Sequence, residues 1–84
     1  MKKAVLRRLR IVKGQTAGLE KMIESDKYCI DIITQSSAIK QALSGIENLI
    51  LENHLSTHAM MQMKSGQGKK ATAEILKVYK LKRV

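Results

Sequence analysis

Proline, tryptophan and phenylalanine are absent from this 84-residue chain, and two tyrosines are its only large aromatic rings. So little bulky side-chain volume leaves a thin core of Leu, Ile, Val, Met and Ala. A domain of this size buries a modest share of its surface and often depends on self-association. A single cysteine, Cys29, excludes an intrachain disulfide. No charged-then-apolar leader opens the sequence, so a reducing cytoplasm is the expected compartment. The longest apolar runs fall well short of the roughly 20 residues a membrane helix needs, and no membrane crossing is expected. Acidic residues are scarce too: seven stand against sixteen Lys and Arg, a formal charge of +9. That excess points to a polyanionic partner.

The distribution of charge says more than its sum. Lys2, Lys3, Arg7, Arg8, Arg10 and Lys13 precede the first acid, Glu20, and Lys77, Lys80, Lys82 and Arg83 close the chain. Basic groups at both ends form one field if the ends are neighbours in the fold.

Apolar residues recur at helical intervals. From Lys2 to about Glu24, the stripe Leu6, Leu9, Val12, Leu19, Met22 and Ile23, with Thr16 filling the gap, predicts an amphipathic helix. Gly14 and Gly18 each cost about 1 kcal/mol relative to Ala without breaking it. Ser25 and Asp26 supply side-chain oxygens able to cap exposed N–H groups, so the chain is expected to turn there and start again. From Lys27 to Lys64, Ile32, Ile39, Leu43, Ile46 and Ile50 keep near-heptad spacing, with Ser36 in the seam. A helix of about 38 residues extends roughly 57 Å. One short chain cannot cover that length, so part of the stripe requires a second copy. Ser65-Gly66-Gln67-Gly68 reads as a loop, and a third helix follows from about Lys69 with Ala71, Ile75, Val78 and Tyr79 or Leu81 on one face. No strand-like alternation is present. The expected fold is all-α, one domain over residues 1–84 with three helices, the first two forming a hairpin that pairs with its symmetry mate as an antiparallel four-helix bundle.

Three residues carry metal-binding chemistry: Cys29, His54 and His58. The two histidines are four positions apart and share a helix face. Cys29 lies twenty-five positions upstream of His54, roughly 37 Å along a helix axis, so no single helix closes the three around one ion. If they act together, the thiolate comes from one subunit and the imidazoles from another. In an antiparallel pair of identical helices, position 29 meets the mate near 56 when the two-fold axis passes close to Ala42 or Leu43, which gives two equivalent sites per dimer. One thiolate and two imidazoles suit Cu(I), whereas Zn(II), Co(II) or Ni(II) would want further ligands. The competing reading makes Cys29 a small packed hydrophobe and the histidines a polar helix face.

The stretches Arg7-Arg8-Leu9-Arg10-Ile11-Val12-Lys13-Gly14-Gln15, Met22 to Ile32, Gln35 to Leu43 and His54-Leu55-Ser56-Thr57-His58 together resemble the copper-sensing repressor family, CsoR and its RcnR and FrmR relatives. The resemblance spans essentially the whole chain. It implies a dimer of hairpins assembled into a homotetramer that binds double-stranded operator DNA when unliganded and lets go when its inducer binds. It puts Cys29 and His54 on the first two ligand positions and His58 where the copper sensors usually carry a second cysteine. A histidine there also occurs in the nickel and cobalt branch, whose additional N-terminal histidine is absent here. The proline after the initiator methionine that marks the formaldehyde branch is missing too, as is the second cysteine of the persulfide branch. Copper stays ahead among the inducers.

The resemblance further gives Tyr28 and Glu74 supporting roles, connecting a ligand histidine to the third helix; a ligating imidazole needs an acceptor for its other N–H. It places Arg7, Arg8, Arg10 and Lys13 on the operator-binding face. No helix-turn-helix, zinc-finger or basic-zipper spacing is present, so the DNA contact falls to the assembled surface, with affinity from phosphate neutralisation. The expected function is a metal-responsive transcriptional repressor released from DNA by Cu(I) at a Cys29–His54–His58 site between subunits. The alternatives are the same fold sensing Ni(II), Co(II), Zn(II) or an electrophile at Cys29, a metal buffer or chaperone without specific DNA binding, and a basic amphipathic helix lying on anionic membranes. No acid–base pair accompanies the site, so an enzyme is not expected.

Overall fold

The computed structural model describes residues 1–83, all helix and connecting turn. In chain order the elements are α1 (Lys2–Glu24), α2 (Cys29–His54), a π-helical turn (Leu55–Ala59), α3 (Met60–Lys64) and α4 (Gly68–Lys82). The long second helix expected from Lys27 to Lys64 is thus realised as α2, the π turn and α3. The residues flanking the π turn, His54 and Met60, both keep right-handed helical dihedrals. No helix is long and apolar enough to cross a membrane among the described residues.

Residues Met1–Leu51 and those from Glu52 onward form two compact units. In the first, α1 and α2 run antiparallel: Gln35 Nε2 donates to the Gln15 carbonyl at 3.3 Å, while Arg8, earlier in α1, meets Gly45, later in α2. Val12, Ile39 and Ile46 are buried, with Val5, Leu19 and Ala42 packed around them. The α2 stripe is split by this packing. Ile39 and Ile46 are enclosed against α1, whereas Leu43 and Ile50 remain exposed, as do Leu6 and Leu9 of α1. In the second unit Ala59 of the π turn and Ala71 of α4 are buried, small residues at which the backbone can be approached closely. On α4, Ala71, Ile75 and Val78 face inward to differing degrees, while Tyr79 and Leu81 point to solvent. Neither of those two continues the apolar face, as the periodicity had allowed.

Both hairpin turns end their helices in the same way. At the first, Asp26 N–H bonds to the Ile23 carbonyl (3.2 Å) and Lys27 N–H to that of Met22 (3.0 Å), with Asp26 left-handed at φ 53°. At the second, Gly66 bonds to Met63 (3.4 Å) and Gln67 to Gln62 (2.6 Å), with Gly66 at φ 83°. These are paired Schellman closures, which satisfy carbonyls the helix end leaves open. They correct the role expected of Ser25 and Asp26. Instead of capping the next helix, Ser25 is the last cap of α1, its hydroxyl donating to the Lys21 carbonyl at 2.8 Å. With the Lys27 N–H spent on the turn, α2 starts two residues later than the pattern suggested, at Cys29. The Tyr28 carbonyl takes the N–H of Ile32 at 3.2 Å.

Candidate metal centre and nucleic-acid interface

Cys29 is the first residue of α2 and His54 the last. The thiol is unbridged and exposed. Tyr28, immediately before it, is also exposed, at 68%. The structure does bring the two histidines together: their ring centroids are 5.4 Å apart and their planes are inclined by 34°. Among the described residues no group of three His, Cys, Asp or Glu is gathered closely enough to hold an ion. Cys29 is thus not gathered with the two histidines into one cluster.

His58 lies inside the π turn, a feature absent from the sequence-based expectation of an unbroken α-helix. Hydroxyls on the same stretch bond back along the helix, as those of Thr16, Thr34 and Thr72 do where the α-helix stays regular. Ser56 Oγ reaches the carbonyls of Glu52 and Asn53 (3.0 and 3.2 Å), and Thr57 Oγ1 donates to Asn53 at 2.6 Å. Side-chain hydroxyls that take up carbonyls one turn back compete with the backbone ladder, and π turns of this kind are frequent at functional positions. The same Thr57 oxygen lies 3.5 Å from His58 Nδ1. Because its hydrogen is committed to Asn53, it faces the ring as an acceptor. With hydrogen on Nδ1 the ring can donate to that oxygen, and Nε2 then keeps a free lone pair.

Glu74 is half-buried on α4, and its carboxylate is engaged by α3: Gln62 Nε2 donates to Glu74 Oε1 at 2.9 Å. Nothing in the sequence singled out Gln62, which reads as one more polar residue on a helix face. The donor set fits a soft monovalent ion, since a thiolate and two neutral imidazoles together favour low coordination and polarizable metals.

Of the basic residues of α1, Arg7, Arg8, Arg10 and Lys13 are all exposed but do not form one row. Arg7, Arg10 and Lys13 recur every three positions and share a face. Arg8 lies to the other side, towards α2, where its Nη1 would sit 3.6 Å from a Cβ built on Gly45. That is ordinary contact distance, so the guanidinium lies alongside α2 at this position.

Against known proteins, the family model for metal-sensitive transcriptional repressors matches residues 1–81. The copper-sensing transcriptional repressor CsoR of Bacillus subtilis (strain 168) is 37% identical over 79 residues, covering 94% of this chain and 78% of that protein. CsoR of Mycobacterium tuberculosis (strain ATCC 25618 / H37Rv) is 37% identical over 79 residues, again 94% of this chain but 66% of that longer one. The crystal structure of the copper-sensing repressor CsoR with Cu(I) from Geobacillus thermodenitrificans NG80-2 superposes with a TM-score of 0.88 at 33% identity, covering 98% of this chain and 85% of that one.

Proposed function

This chain belongs to the metal-sensitive transcriptional repressor family, a family of regulators and not of enzymes, and from that premise we propose that it holds operator DNA until Cu(I) joins Cys29 of one subunit to His54 and His58 of another. The observation that carries the reading is the imidazole pair, 5.4 Å apart at the π turn, with Cys29 exposed at the far end of the same helix. Antiparallel pairing of two α2 helices puts a thiolate beside each such pair. The open apolar residues Leu43 and Ile50 supply the seam for that pairing, and dimers associate further into a tetramer acting as one sensing and DNA-binding helical domain per chain.

When bound, Cu(I) supplies a low-coordination link that fixes one subunit's α2 against the other's. The residues of the chain do the rest. Thr57 orients the His58 ring, and Tyr28 and Glu74 connect the ligand histidine to α4. Arg7, Arg8, Arg10 and Lys13 neutralise phosphates in the cytoplasmic DNA complex, and their presentation alters as the subunits shift. By linkage, the metal binds the DNA-free form more tightly by the factor that it weakens the DNA complex. A gel-shift titration under reducing conditions tests this, on a duplex enriched from random-sequence DNA by the metal-free protein. Release by Cu(I) is expected, and operator affinity unmoved by Cu(I) rejects the proposal.

The exposed Cys29 thiol at a helix start also supports a second reading, in which an electrophile is the inducer. The two separate cleanly: His54→Ala abolishes a copper response and leaves a response to alkylation intact.

A further inference from the structure

The charge of the chain is sorted by element. Helix α2 carries Asp31, Glu47 and Glu52 against Lys40 alone, so the positive excess falls on α1 and on α4. The lysines of α4 have no part in the DNA contact assigned to α1. That helix holds five lysines and one acid, Glu74, and the acid is half-buried and already accepts from the Gln62 amide at 2.9 Å. Lys69, Lys70, Lys77, Lys80 and Arg83 are all exposed.

Helical spacing arranges these cations. Lys69, Ala73, Leu76 and Lys80 recur at intervals of four, three and four and so share one face. Arg83 extends that face, since its backbone stays helical at φ −77° and ψ −15°. Lys70 and Lys77, seven apart, form a row beside it. The opposite face holds the buried Ala71 with the half-buried Ile75 and Val78. A helix that lies on a membrane needs a broad apolar face turned outward. Here the apolar face is turned inward, and cations hold the outward one with Leu76 set between them. From Lys69 to Arg83 the axis runs roughly 21 Å, a length over which duplex DNA carries about a dozen phosphates.

We propose that the outer face of α4 is a second DNA surface, which holds backbone phosphates through Lys69, Lys70, Lys77, Lys80 and Arg83 and reads no bases. Four of the five are lysines, compact point charges on flexible stems, and phosphate contacts carry no sequence information. The surface therefore adds affinity equally on operator and on unrelated duplex, and leaves discrimination to other residues. The inference rests on the reading of the chain as a holder of DNA.

Filter binding across a salt series tests it, on the enriched duplex and on a scrambled one of the same length and composition. The triple variant Lys69→Gln, Lys77→Gln, Lys80→Gln keeps good helix formers at all three positions. It is expected to lower the slope of log affinity against log salt by about 0.9 for each lysine in contact, and by the same amount on both duplexes. Arginine at the same three positions keeps the wild-type slope. Glutamine at Lys21, Lys27 and Lys40, exposed lysines outside α4, removes the same charge and leaves the slope near wild type. An unmoved slope in the α4 triple, an equal fall in the control, or a loss confined to the enriched duplex overturns the proposal. So does an α4 triple that keeps its DNA slope but no longer sediments with vesicles of anionic phospholipid, which would make a membrane the partner. Wild-type protein that binds neither duplex sinks the DNA reading itself, whereas wild-type binding with a slope indifferent to α4 sinks only this inference.

Discussion

The rings of His54 and His58 stand 5.4 Å apart at an inclination of 34°, one closing α2 and the other inside the π turn that follows. Neighbouring imidazoles on one helix supply two nitrogen donors and leave the third ligand to come from elsewhere. Alanine at Cys29, His54 or His58 is therefore expected to lower Cu(I) affinity by more than the roughly 10–100-fold typical of an outer hydrogen-bonding partner. Mixing Cys29→Ala chains with chains carrying both His54→Ala and His58→Ala restores one tight site per mixed dimer. Chelator competition on the mixture reads this directly, and no recovery would reject a site shared between subunits.

Thr57 gives the second expectation. Its hydroxyl is spent on Asn53 and its oxygen lies 3.5 Å from His58 Nδ1, so Thr57→Val removes an acceptor available to the ring while keeping the side chain's shape. Cu(I) affinity should fall roughly tenfold, at the low end for an outer partner, with helix content by circular dichroism unchanged. Thr57→Ser, which keeps the hydroxyl, should stay near wild type.

Both Schellman turns favour glycine at their left-handed position. Asp26 holds a left-handed backbone that costs a side-chain-bearing residue about 1 kcal/mol or more, and Gly66 holds the same kind of turn without that cost. Urea denaturation should show Asp26→Gly more stable by about 1 kcal/mol and Gly66→Ala less stable by a similar amount. Gly14→Ala, where an added Cβ meets nothing within 4 Å, should gain up to about 1 kcal/mol of helix propensity.

For DNA, the arrangement of α1 separates its basic residues. Each contact with a phosphate contributes about 0.9 to the slope of log affinity against log salt. Replacing Arg7, Arg10 or Lys13 with Gln should reduce that slope by about this much for each copy in contact. Arg8, beside Gly45, is expected to change affinity as well when Gly45 is replaced by a bulkier residue, whereas Gly45→Ala should be tolerated, its Cβ lying at ordinary contact distance from the guanidinium. Filter binding across a salt series distinguishes these outcomes.

The helical rods were legible because apolar residues at intervals of three and four leave little alternative, and the Val12, Ile39 and Ile46 contact lies within the stripes they define. The turn chemistry was less legible. Ser25-Asp26 carries the same oxygens whether it starts a helix or ends one, and only the left-handed backbone of Asp26 shows which. The π turn was not legible at all, since hydroxyls such as those of Ser56 and Thr57 bond back along regular α-helices as well. On the candidate site, the four-residue spacing of His54 and His58 translated directly into adjacent rings. The Gln62–Glu74 bond joins residues twelve apart across a turn, and no local pattern announces such a contact.

Among the larger apolar side chains few are well enclosed, while Ile30, Ile33, Leu43 and Ile50 stay open to water. On the proposed pairing of subunits, a polypeptide with so shallow an interior would draw much of its folding free energy from meeting its own kind, which would tie thermal endurance to abundance. The melting midpoint should climb as the sample is concentrated, and in a cell the number of copies would then govern not only how many operators are occupied but how much of the regulator survives to occupy them.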